Sequence, residues 1–85
     1  MKLHLLYFAR LREAVGTHAE ELEVPPAVTT VAQLRAHLAA RGGAWAEALA
    51  PARQIRAAIN QHMVDEDAAL IDGAEVALFP PVTGG

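Results

Sequence analysis

One helix is written plainly into this chain: TVAQLRAHLAARGG, from Thr30 to Gly43. Thr30 and Gln33 have the spacing of a capping box, in which each side chain satisfies a backbone N–H that the first turn leaves free. Val31, Leu34 and Leu38 fall on one stripe, and Gly42 and Gly43 mark the expected end. A single apolar stripe can bury itself against only one surface. The remaining sequence must supply a sheet with one covered face, so the expected class is a two-layer α+β domain.

The strand patterns agree. Lys2 to Phe8 alternates, with Leu3, Leu5 and Tyr7 on one face and His4, Leu6 and Phe8 on the other. Apolar groups on both faces at its far end suit a central strand whose second face is covered or offered to a partner. Ala9 to Val15 follows as a short helix stopped by Gly16. Ala19 to Val24 alternates weakly, carries Glu21 and Glu23, and runs into Pro25 and Pro26, the marks of a protected edge strand. Trp45 to Leu49 reads as a further helical turn, stopped by Pro51. Arg53 to Ile59 and His62 to Val64 make a hairpin about Asn60 and Gln61. Glu75 to Phe79 is the last strand, with Val76 and Leu78 inward and Ala77 and Phe79 opposite. This order fits a β-grasp, the ubiquitin-like fold, in which the first and last strands lie parallel at the centre. Residues 1–80 form the expected domain and residues 81–85 an extended tail.

Several function classes fall away. A net charge of -3 with no basic cluster argues against nucleic acid. The apolar run at the N-terminus is too short for a signal peptide or a membrane span, so the expected location is the cytoplasm. Cysteine is absent, which removes disulfides, thiolate metal sites and a cysteine nucleophile. His4, His18, His37 and His62 lack a metal-ligand spacing, and Asp65 to Asp67 reads as a solvated turn because the glycine and closing glutamate of a calcium loop are missing. Glu20, Glu21 and Glu23 read as a charged rim on the edge strand. With no phosphate-binding glycine motif and no serine, a self-contained enzyme is not expected, nor a bound cofactor or metal.

The end of the chain, FPPVTGG, is different. A double glycine closes about one chain in two hundred by chance, and it gains weight from its place behind a strand. Pro80 and Pro81 end sheet pairing and hold the chain extended. Val82, Thr83, Gly84 and Gly85 then carry the terminal carboxylate outward, about 20 Å from Phe79 when fully extended. Glycine has no side chain beyond Cα, so the tip fits a channel too narrow for any other residue. An ionised carboxylate is a poor electrophile and must be activated, most simply by adenylation. Lacking a nucleotide motif, this chain would need a partner enzyme for that step.

Three segments carry a family resemblance: YFARLRE at Tyr7 to Glu13, AINQ at Ala58 to Gln61, and above all DGAEVALFPPVTGG from Asp72 to Gly85. The chain resembles the MoaD/ThiS family of ubiquitin-like sulfur carriers, on the MoaD side, the small subunits of molybdopterin synthase. The resemblance implies that Gly85 is adenylated by an E1-like enzyme of the MoeB type using ATP, then converted to a thiocarboxylate with sulfur from a donor. It implies that Pro80, Pro81, Val82, Thr83, Gly84 and Gly85 enter the active site of a MoaE-type large subunit, within a heterotetramer. The acceptor would be cyclic pyranopterin monophosphate, and the catalytic side chains would be the large subunit's. Phe8, Met63 and Phe79 match family positions of a hydrophobic docking patch; the bland alternative is that they are covered core. A thiamine-pathway carrier of the ThiS kind, a protein modifier and a passive interaction module are the rival functions.

Overall fold

The computed structural model describes residues 1–81. Eight elements follow in order: β1 (Lys2–Tyr7), α1 (Ala9–Val15), β2 (Ala19–Glu23), α2 (Val31–Ala39), α3 (Gly43–Ala48), β3 (Arg56–Ile59), β4 (His62–Val64) and β5 (Glu75–Phe79). The strands form one sheet in the order β2-β1-β5-β3-β4. β1 and β5 run parallel at its centre and every other pair is antiparallel. This is the β-grasp order, and β2 lies on an edge as its charges and flanking prolines lead one to expect.

Register explains the core. Leu5 lies beside Val76 and Tyr7 beside Leu78, while Ala57 faces Leu78 and Ile59 faces Val76. Directly paired residues share a face, so these side chains form one continuous apolar surface. Leu34 and Leu38 of α2, Leu11 of α1 and Leu49 pack against it, and all are buried. Among the described residues no helix lies over the second face of the sheet.

Both halves of the capping box at Thr30 and Gln33 are present. The acidic turn completes the job: Val31 N–H donates to the carbonyl of Ala68 and Ala32 N–H to that of Glu66, at 3.1 and 2.8 Å. With Gln33 N–H on the Thr30 hydroxyl, the first-turn donors that an α-helix leaves unpaired are all satisfied. Residues 65–68 are a cap for α2 as well as a turn.

Three boundaries differ from expectation. α2 stops at Ala39, with Ala40 still right-handed, and Gly42 and Gly43 (φ 79 and 54) begin α3 instead of closing α2. Positive φ is cheap for glycine, and here it turns the chain sharply between the two helices. α3 therefore starts two residues before Trp45. β3 begins at Arg56, leaving Arg53 and Ile55 in the connection. Its hairpin turn has both central residues left-handed, Asn60 at φ 49 and Gln61 at 71, the twist that matches paired strands.

Candidate functional site

The uncovered sheet face holds every residue expected in the docking patch. On β5, Ala77 and Phe79 alternate with the core residues; Met63 of β4 is opposite Ala58 of β3, which is opposite Ala77. Phe8 is 46% exposed and Met63 53%, while Phe79 is half-buried. The rings of Phe8 and Phe79 meet edge to face, centroids 6.5 Å apart. Met63 stands farther off, two strands across from β5, about 10 Å at ordinary strand spacing. It joins the aromatic pair through Ala58 and Ala77, each only 7% exposed on this otherwise open face, and half-buried Leu6 borders them. The face is a shallow apolar trough, and the covered-core alternative does not hold for Phe8 or Met63.

Local backbone aims Phe8 outward. β1 ends at Tyr7, Phe8 N–H donates to the Leu78 carbonyl at 3.2 Å, and Phe8 then caps α1 in an extended conformation. Ala9 follows at φ 53, a left-handed conformation that costs a residue with a Cβ about 1–2 kcal/mol. That turn swings the chain across to α1 and leaves the Phe8 ring at the rim of the open face.

The covered side carries a polar network that sequence reasoning missed. Tyr7 is fully buried, and its hydroxyl donates to Glu20 Oε2 at 3.0 Å. Arg41 donates to both oxygens of the same carboxylate, at 2.9 and 2.8 Å, and its guanidinium lies 4.4 Å from the centroid of the Trp45 ring. Trp45 meets Tyr7 edge to face at 5.3 Å. Glu20 is thus no rim charge, because its position opposite Leu5 turns it to the covered side. Burial, and then the Glu20 charge, hold the Tyr7 hydroxyl far above the ordinary tyrosine range. The Arg41 hydrogen bond holds Glu20 below the ordinary carboxylate value, and the same bond raises Arg41. A phenol locked as a donor to a paired carboxylate is a brace, not a nucleophile. No buried side-chain nitrogen or oxygen among the described residues lacks a partner.

Beyond Phe79, Pro80 and Pro81 are half-buried and form part of the wall of a groove of about 790 Å³ between α1, α3 and residues 52–55. β5 is thus anchored centrally in the sheet up to the point where the tail leaves. Val82, Thr83, Gly84 and Gly85 lie outside the described residues. Among the described residues no group of three or more His, Asp or Glu is placed to hold a metal ion, and no helix is long and apolar enough to cross a membrane.

Residues 5–85 match the family model described as the ThiS family. The "Molybdopterin synthase sulfur carrier subunit" of Escherichia coli (strain K12) is 49% identical over 83 residues, covering 98% of this chain and 99% of that protein. The protein of the same name from Haemophilus influenzae is 43% identical with the same coverage. Among solved structures, the putative molybdopterin converting factor subunit 1 from Pyrococcus furiosus superposes with a TM-score of 0.79 at 29% identity, covering 96% of this chain and 99% of that one.

Proposed function

The chain belongs to the ThiS family, and on that premise we propose that it carries sulfur as the small subunit of molybdopterin synthase. The observation that carries this reading is the name shared by two curated relatives that align over 98% of the chain, beside a family match that runs to Gly85. The working group is the carboxylate of Gly85. A partner adenylyltransferase of the MoeB type joins it to AMP, with pyrophosphate leaving from ATP. Sulfur from a donor then displaces AMP and leaves a thiocarboxylate. ATP and the sulfur donor are handled by that partner in the cytoplasm, and this chain binds neither.

The charged tail, residues 81–85, enters the active site of a MoaE-type large subunit, which supplies the catalytic side chains of the sulfurtransferase. Sulfur passes to cyclic pyranopterin monophosphate, and hydrolysis returns the carrier's carboxylate. Two carriers in a heterotetramer supply the two sulfurs of the dithiolene. The Phe8, Met63 and Phe79 trough docks the large subunit and, at another time, the activating enzyme. Its exposed edge-to-face rings are what a partner must bury, and a patch that loses its water is where a few aromatic anchors dominate affinity.

Mass analysis of the chain after incubation with its activating enzyme, ATP and a sulfur donor tests the reading. The expected product gains the difference between sulfur and oxygen at Gly85. An isopeptide link to lysine would mean a protein modifier, and an unchanged mass a passive module. Transfer to a thiazole precursor in place of the pterin would mean a thiamine carrier.

A further inference from the structure

Two arginines hold a stretch that adds little to the core. Between Gly42 and Ile55 only Leu49 is buried, and α3 has no buried residue of its own. Yet Arg35, its side chain 11% exposed, spends its guanidinium here. Its Nε donates to the carbonyl of Leu49 at 3.1 Å, and Nη2 to those of Ala50 and Arg53, both at 2.6 Å. Nη1 is tied back to Glu66 at 2.7 Å. Arg41 steadies the other end by lying over Trp45. A surface connection with so few apolar contacts would otherwise open readily. What the clamped stretch builds is one wall of the groove beside the tail root; α1 is the facing wall, and Pro80 and Pro81 complete it.

We propose that this groove seats the lip of the partner pocket that receives the tail. The inference rests on the sulfur-carrier reading and comes from length. Pro81 lines the groove, and on the carrier reading four residues, Val82 to Gly85, lie between it and the sulfur. Four extended residues reach about 13 Å. A pocket deep enough to enclose the terminal carboxylate must bring its mouth down onto the prolines, so its lip covers the groove as well. The occupant is therefore a segment of the tail-accepting protein. Ala14 and Ala48 leave room between the helices for one of its apolar side chains; of the charged lining residues Arg53 pairs with Glu47, which leaves Arg10, beside Glu13, to meet an acidic one. Among the described residues Arg10 takes part in no ion pair.

The test uses thiocarboxylated chain and the large subunit of molybdopterin synthase from the same source. Ala14 is exposed, so Ala14→Trp fills the groove without entering the core; Ala36→Trp, exposed on α2, is the control. The expected result is a fall of about tenfold or more in sulfur-transfer rate for Ala14→Trp alone, with both variants melting as the wild type does. Two glycines inserted between Pro81 and Val82 lengthen the tail and should speed transfer by Ala14→Trp again, which a merely structural defect would not allow. Arg10→Glu, which leaves the packing alone, should lose several-fold, most at low salt. Transfer by Ala14→Trp at the rate of Ala36→Trp, or no recovery on lengthening, overturns the proposal; Arg10→Glu at the wild-type rate removes the acidic contact. If thiocarboxylated chain of normal sequence transfers no sulfur to the pterin, it is the underlying carrier reading that fails.

Discussion

The two faces of the sheet are built from the same strands and differ in almost every other respect. On β5, Val76 and Leu78 are buried under α2, while Phe79 beside them stands half-buried on a face that no helix covers. The covered face is mostly aliphatic, and its two aromatic rings, Tyr7 and Trp45, are tied into a satisfied polar brace. The open face is aromatic at one end, floored with alanine, and bordered by two large apolar side chains in water. Phe8 and Met63 are each about half exposed and so forfeit roughly half of the ~1.5–3 kcal/mol that full burial of such a side chain contributes. On the docking proposal a partner recovers that free energy, and one face then serves folding while the other serves association.

If the faces are separable in this way, substitutions should sort by face. Leu34→Ala, in the middle of the covered side, should lose about 2–5 kcal/mol of stability in urea unfolding. Glu20→Ala strands a buried phenol and a guanidinium and should cost about 1–3 kcal/mol. The sign of its pH dependence follows from the lowered carboxyl. The folded state binds its proton less readily than the unfolded chain, so the contribution is present above the ordinary value of 4.5 and is lost as pH falls through the depressed folded value. Glu20→Gln should remove that acid-side component from the stability profile. Thr30→Ala takes away half of the capping box and should cost about 1 kcal/mol. Phe79→Asp should lose about 0.5–1.5 kcal/mol of ring pairing beyond its half-buried area and leave the chain folded, yet should abolish capture of the large subunit. Binding that survives Phe79→Asp, or a fold that collapses with it, would erase the distinction between the faces.

Much of the covered side was legible in the sequence because its signals are periodic. The capping residues and apolar stripe located α2, and alternation located β1 and β5. The charges and prolines around β2 marked an edge. What escaped reading depends on partners far along the chain. Glu20 looks like its neighbours Glu21 and Glu23, and only its register opposite Leu5 turns it toward Tyr7 and Arg41. Arg35 acts through main-chain carbonyls, which carry no residue signature. The capping role of residues 65–68 is hidden for the same reason. On the open face, Phe8, Met63 and Phe79 could be picked out by alternation, but alanine fits either face, so the floor of Ala58 and Ala77 appeared only with the strand order.

On the proposed function, both faces serve the tail that follows β5. The most direct measurement is molybdopterin formation by the reconstituted synthase, with activating enzyme, ATP and sulfur donor, using a chain extended by one phenylalanine after Gly85. Such a chain should fold and still bind the large subunit through the Phe8–Phe79 face, yet yield no molybdopterin, because its carboxylate lies beyond the glycine tip behind a side chain the channel cannot pass. Product at the wild-type rate from the intact extended chain would contradict the assignment of sulfur transfer to Gly85.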